Sequence, residues 1–359
     1  METEERIIGY DIIRSLAIIL VMLGHTLGFL YVGEYSNFLS FLGGFFGVEL
    51  FFVLSGVLIG KILIEILQKT NFTLHLKNFV LRRWLRTLPL YFIMLIVYWV
   101  INYFFNPVQI EEVPLWKYLF FLQNFTDLKP MIFGVSWSLS IEEWFYIGFP
   151  ALLLLLKSVF SKLEKQKLIL LVISFFILLS LLIRILFFST DFNFYEGARK
   201  ITLYRLDSIA FGVLGAFGFY YFKEKLKKYR YHFLILGLVL LITNQYIISK
   251  DQYSHIFYFN TLYYSVLGLS LVLLFPFFKE LRLQNGILKK CIIWISKISY
   301  SLYLIHWIVF KSLDSQIFDF APNLVKFVLF IAISIVLASI TYVWIEKPIL
   351  KFRDKIVHQ

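Results

Sequence analysis

The chain has 359 residues, of which 60% are hydrophobic, 20% aromatic and only 16% charged, with a mean hydropathy of +0.77 and a formal net charge of +12. A soluble domain does not expose that much apolar surface, so the composition specifies an all-α, polytopic membrane helix bundle. The single Cys291 rules out an intrachain disulfide framework or a cysteine metal site, and basic loops facing anionic lipid account for the charge without nucleic acid.

A helix that crosses a bilayer needs about 20 apolar residues. By that measure ten segments are expected, near 11–31, 44–67, 88–105, 134–156, 167–188, 203–222, 231–248, 257–278, 291–312 and 323–345. The acidic start METEER, the lack of a small-residue cleavage site and the full spanning length of the first segment indicate a retained helix, not a removed signal peptide. The piece LWKYLFFLQNF (115–125) is too short to cross and reads as interfacial or re-entrant. The expected organisation is one membrane domain over 1–350 and a short cytoplasmic tail over 351–359, with no fused soluble domain.

Lys and Arg set the orientation. They crowd the connections after segments two, four, six and eight and the C-terminal stretch, from Lys69, Lys77, Arg82, Arg83 and Arg86 in the first to Lys347, Lys351, Arg353 and Lys355 in the last. The other connections hold only Lys117, Lys129, Arg199, Lys200, Lys250 and Lys311. Both termini are therefore expected in the cytoplasm, with the chain a multi-pass protein of the cell inner membrane.

That topology sorts the ionisable residues by depth. In DIIRSLAIILVMLGHTLGFLY, Arg14 and His25 are eleven residues apart, which at about 100° per residue returns almost to the starting angle and at about 1.5 Å per residue separates them by roughly 16 Å. Both lie on one face, Arg14 near the inner end and His25 near the outer end. Ionisable groups on one face of a membrane helix line a polar interior or a ligand path; the plainer reading has Arg14 snorkelling to headgroups and His25 a satisfied interior hydrogen-bonder. Glu49 in GGFFGVELFFVLSG, Glu142 in SWSLSIEEWFY and His306 in SYSLYLIHW are expected in the same outer layer as His25. Ser138 and Tyr146 share the Glu142 face at four-residue spacing. A carboxylate beside a neutral histidine makes a usable base near neutral pH. Glu143, on the adjacent face, reads as structural.

The cluster RRWLRTLP (82–89) offers Arg83 and Arg86 as forked donors that, with Arg14, suit phosphate groups. Positive-inside loops look like this in many membrane proteins. Joined to a polar line rising through the first helix, the cluster fits a ligand with phosphates at the inner surface and a reactive end deep in the membrane, which is the shape of coenzyme A.

Those residues, with GVELFFVLSG (47–56), YRLDSIAFG (204–212), ISYSLYLIHW (298–307) and EKP (346–348), carry a resemblance to the acyltransferase 3 family of integral membrane acyltransferases, spread over nearly the whole chain. The resemblance implies transfer of an acyl group, most often acetyl, from cytoplasmic acyl-CoA (acetyl-CoA) to a hydroxyl of a cell-surface or lipid-linked glycan such as lipopolysaccharide or another polysaccharide, with no metal. It maps the family's essential histidine to His25, its essential arginine to Arg14, its arginine pair to Arg83 and Arg86, and its helix-four glutamate to Glu142. Two departures stand out: Glu49 where Asp is more usual, and Trp144 where Gln or His is commoner. The expected mechanism has acyl-CoA phosphates on Arg14, Arg83 and Arg86, with His25 either the base on the acceptor hydroxyl or a transient carrier of the acyl group, and Glu142 orienting it; Glu49, Ser138, Tyr146 and His306 shape the acceptor side. The alternative is a proton-coupled solute or glycan transporter. It calls for inverted repeats or broken helices at matched positions, and the sequence shows neither.

Overall fold

Long runs of Leu, Ile, Val and Phe must satisfy their backbone within each segment once in lipid, so the chain folds as helices. The computed structural model describes residues 6–30, 36–105, 114–127, 131–188, 197–250, 256–314 and 321–357. In chain order the helices are α1 (Ile8–Leu30), α2 (Ser36–Gln68), α3 (Phe72–Phe105), α4 (Leu115–Leu119), α5 (Ser136–Val159), α6 (Lys165–Leu186), α7 (Leu206–Tyr221), α8 (Lys223–Lys228), α9 (Arg230–Lys250), α10 (Ile256–Asn260), α11 (Tyr263–Glu280), α12 (Ile287–Leu313), α13 (Asn323–Thr341) and α14 (Lys347–Ile356). A five-residue π-turn, Tyr342–Glu346, joins the last two.

Among the described residues, eight helical stretches are long and apolar enough to cross a membrane. They correspond to eight of the ten expected segments. The other two form α7, an apolar helix of only 16 residues, and α9, which carries Arg230, His232, Asn244 and Gln245 along its length. The exposed large residues on the spanning helices, such as Ile96, Leu155, Leu182 and Val336, are apolar, as lipid contact requires.

The third segment and the 115–125 piece depart from expectation in ways that bear on the site. The third segment begins at Phe72 rather than near residue 88, so RRWLRTLP is helical and Arg83 and Arg86 share a face at three-residue spacing. The 115–125 piece is one short helix and a turn folded into the bundle. Tyr118 is fully buried, Phe121 turns the chain at φ 56°, and the Asn124 amide donates to the carbonyls of Trp137 and Lys200. Trp144 donates its indole N–H to the Phe121 carbonyl at 3.0 Å, so this departure from the family pattern anchors the turn to α5.

α1 packs along α2 and α12, and α2 packs also on α7. Small residues allow the closest of these approaches. Gly56 and Gly60 on α2 face Gly212 and Ala216 on α7, and a Cβ on Gly56 would lie 2.0 Å from the Ile209 carbonyl oxygen. This contact fixes the height of α2, which lines the cavity described below with Val48, Phe51, Phe52, Leu54, Ser55 and Leu58. Gly56→Ala is expected to cost about 1–3 kcal/mol as overpacking, read as a lowered melting temperature in detergent. Gly286→Ala, at a position with nothing within 4 Å, should leave melting unchanged.

Candidate active site

A cavity of about 780 Å³, including its open mouth, lies between α1, α2, α3, α5 and α12. Its polar lining comes from Arg14, Ser55, Arg83, Arg86, Thr87, Ser138, Glu142, Tyr146, Ser299, Tyr300 and Tyr303, and Val48, Phe51, Phe52, Leu54, Leu58 and Leu139 complete it. Six of the nine residues singled out from sequence meet here: Arg14, Arg83, Arg86, Ser138, Glu142 and Tyr146.

The three arginines stand close enough for their charges to act on one another. Among the described residues none of them forms a salt bridge. Three guanidiniums in one partly desolvated cleft repel, so the site favours an anion. Arg83 lies against the rings of Phe79 and Tyr146, 5.6 and 5.7 Å from their centroids, which fixes its stem. Arg82 faces elsewhere. It donates to the Val357 carbonyl and to Asp354 at 2.9 Å, fastening α14 beside the mouth.

Two carboxylates face this cluster. Glu142 accepts from Ser55 at 3.2 Å and from Tyr146 at 3.0 Å, with the charges of Arg83 and Arg86 acting on it. Glu346, which the sequence marked only as part of EKP, is buried in the π-turn and accepts from Ser301 at 2.7 Å; Arg86 and Arg14 act on it. One extra residue in the turn redirects a side chain, and such bulges recur at functional sites. Glu143 is structural in this geometry: it accepts from Thr87 at 2.7 Å, behind the cavity floor.

The cavity ends at Tyr303 and Ser138, whose hydroxyls lie 2.6 Å apart. Beyond them are the histidines. The His306 ring lies 5.7 Å from Tyr303 and 5.3 Å from His25, and Trp307 meets the His25 ring edge-on at 4.8 Å. His25 and His306 thus come together, as equal depth predicts, but Tyr303 and Ser138 stand between them and the arginines.

Two expectations need correction. Glu142 does not stand beside His25, because its hydrogen bonds and the arginine charges hold it in the cavity. Glu49 does not line the cavity: it is fully buried in an ion pair with Arg205 of YRLDSIAFG, and Arg205 also donates to Ser208 at 2.9 Å. A charge without lipid-compatible exposure needs a counter-charge, and Arg205 supplies it. A parallel buried pair, Arg184 with Asp207 at 2.6 Å, ties α6 to the start of α7. Among residues that sequence reasoning missed, Tyr303 was findable: Ser299, Tyr303 and His306 recur at helical spacing on α12, as Ser138, Glu142 and Tyr146 do on α5.

A family model described as an acyltransferase domain matches residues 7–343. The chain belongs to the acyltransferase 3 family. It is 29% identical to a peptidoglycan O-acetyltransferase, OatA, of Listeria monocytogenes over 95% of this chain and 55% of that protein. It is 29% identical to the putative O-acetyltransferase SACOL0978 of Staphylococcus aureus and 28% identical to the O-acetyltransferase OatA of that species, in each case over 96% of this chain and 57% of the relative. The chain therefore spans a little over half the length of these curated relatives. No solved structure matches it.

The Glu49–Arg205 pair gives a stability prediction. Glu49→Ala leaves a buried guanidinium uncompensated and is expected to cost about 3–5 kcal/mol, read by thermal melting in detergent. Replacing both residues with apolar side chains of similar volume, Glu49→Leu with Arg205→Met, should recover most of the loss.

Proposed function

We propose that this chain is a membrane O-acetyltransferase that moves an acetyl group from acetyl-CoA to a hydroxyl of a cell-envelope glycan. The observation that carries the reading is the arginine-rich cleft running from α1 and α3 to Tyr303, which meets His306, whose ring in turn meets His25. Membership of the acyltransferase 3 family supports the reaction type. Relatives named O-acetyltransferases support the acetyl group, and the Listeria relative, named for peptidoglycan, supports a glycan acceptor.

The residues fit a coenzyme A donor. Its phosphates are anions, and Arg14, Arg83 and Arg86 converge in one cleft with forked donors suited to them. Its pantetheine arm is thin and largely uncharged, and the remaining wall is Val48, Phe51, Phe52, Leu54, Leu58 and Leu139. By the distribution of Lys and Arg, the arginine mouth is at the cytoplasmic face, where acetyl-CoA is made.

On this reading Arg14, Arg83 and Arg86 hold the phosphates, and Glu142 and Glu346 keep the guanidiniums apart and aimed inward. Tyr303 swings off Ser138 to let the thioester reach the histidine chamber. There His25 takes the proton of the acceptor hydroxyl as its oxygen bonds to the carbonyl carbon. The carbon–sulfur bond breaks, and the departing thiolate takes the proton from the imidazolium, leaving CoA and an ester.

Two measurements test this. Cells that express the chain should carry ester-linked acetate, released by mild alkali from the envelope, that is absent from cells without it; in His25→Ala the acetate should fall about 10²–10⁴-fold, the range of a general base. For the purified protein, Arg83→Ala or Arg86→Ala should weaken acetyl-CoA binding about 10–100-fold, as for a lost charged hydrogen bond, and Lys at either position should restore little of a bidentate contact. Unchanged envelope acetate together with unchanged acetyl-CoA affinity would overturn the assignment.

A further inference from the structure

The sequence leads one to expect Glu142 as the group that orients His25. The structure holds Glu142 with Ser55 and Tyr146 in the arginine cavity, and the charged side chains that act on the His25 ring are Arg199, Lys200 and Lys311. What stands beside His25 is another imidazole.

His306 is fully buried, and its hydrogen bonding defines its tautomer. Nδ1 lies 3.2 Å from the Leu302 carbonyl oxygen, one helical turn back. A carbonyl only accepts, so Nδ1 carries the proton and Nε2 of the neutral ring is a bare lone pair. That Nε2 is buried and makes no hydrogen bond. Buried acceptors left without a donor are uncommon and ask for an explanation.

The neighbouring ring supplies one. The His25 and His306 centroids are 5.3 Å apart with ring planes inclined by 34°. A ring nitrogen stands about 1.1 Å from its centroid, so a nitrogen-to-nitrogen hydrogen bond of about 3 Å puts two imidazoles roughly 5.2 Å apart. A small rotation of His25 therefore brings an N–H onto the His306 lone pair. Trp307 and Phe310 on one side of His25, and Tyr303 against His306, limit the other orientations of both rings.

We propose that His306 is the positioning partner of His25: its Nε2 accepts the N–H of the His25 ring and so keeps the opposite nitrogen of His25 unprotonated and turned toward the acceptor hydroxyl. The inference rests on the O-acetyltransferase reading and names the residue that completes its base. When His25 takes the hydroxyl proton on one nitrogen, its other N–H remains bound to His306; when the thiolate leaves, the proton taken from the hydroxyl goes to sulfur and the His25–His306 bond is unaltered. His306 changes no protonation state in the cycle.

Two amides separate this role from a packing role, because each copies one nitrogen. His306→Gln reaches the Nε2 position with an oxygen that accepts. His306→Asn copies the Nδ1 donor to Leu302 and has nothing at Nε2. Both are assayed in detergent with acetyl-CoA as donor and chitopentaose as acceptor, and by alkali-released acetate from expressing cells. His306→Asn is expected to lose about 30–100-fold in kcat with KM for acetyl-CoA within twofold of wild type, and His306→Gln to stay within about fivefold in kcat; both should melt close to wild type. Equal activity in the two variants, the reverse order, or failure of both to accumulate as folded protein would assign His306 to packing alone and overturn the proposal. A wild-type chain that transfers no acetyl group, in cells or with chitopentaose, would instead remove the underlying function.

Discussion

The structure depends on how a bilayer treats charge. Each ionisable side chain within the spanning helices must be paired, hydrogen-bonded or turned into a polar cavity, since lipid offers no other relief. This chain uses all three. Glu49 with Arg205 and Arg184 with Asp207 are buried pairs that lock α2, α6 and α7 together. Glu143 and His306 rely on hydrogen bonds to α3 and to their own helix. Arg14, Arg83 and Arg86 belong to neither group; they line the cavity as three cations with no salt bridge among the described residues. Held together by the surrounding helices, they repel one another and make the cavity a site suited to an anion.

Depth along a helix was legible in the sequence, because rise per residue is fixed. His25 and His306, 281 positions apart on two helices that both run outward in the expected topology, were expected in one layer, and their rings meet. The convergence of Arg14 with Arg83 and Arg86 was legible for the same reason, helped by the positive-inside pattern. Azimuth was not legible. Glu49 and Glu142 share that outer layer in sequence terms, yet one points to α7 and the other into the cavity, and which way a helix faces is decided by contacts such as Gly56 on Gly212 that no local pattern reveals. The partner of Glu49 lies 156 residues along the chain.

Register breaks were equally hidden. Hydropathy runs smoothly through TYVWIEKP, and nothing in it announces that the helix widens to a π-turn and brings Glu346 inward toward Arg14 and Arg86. Helix ends were hidden where charge and helix propensity oppose each other. The arginines of RRWLRTLP look like a loop by charge, but Leu, Arg and Trp are tolerated in a helix whose polar start lies outside the apolar layer, and α3 runs through them from Phe72. The same tension explains α7 and α9, apolar by window but short or polar by detail.

In the proposed function, one cleft receives an anionic donor at Arg14, Arg83 and Arg86 and delivers its reactive end past Tyr303 to His25 and His306. The most direct measurement is a structure of the protein bound to a nonhydrolysable acetyl-CoA analogue. Phosphate density is expected among the three guanidiniums, with the Tyr303–Ser138 contact opened and the acetyl carbonyl beside His25. Phosphates bound away from the arginines, or an acetyl group held on the arginine side of an unmoved Tyr303, would contradict it.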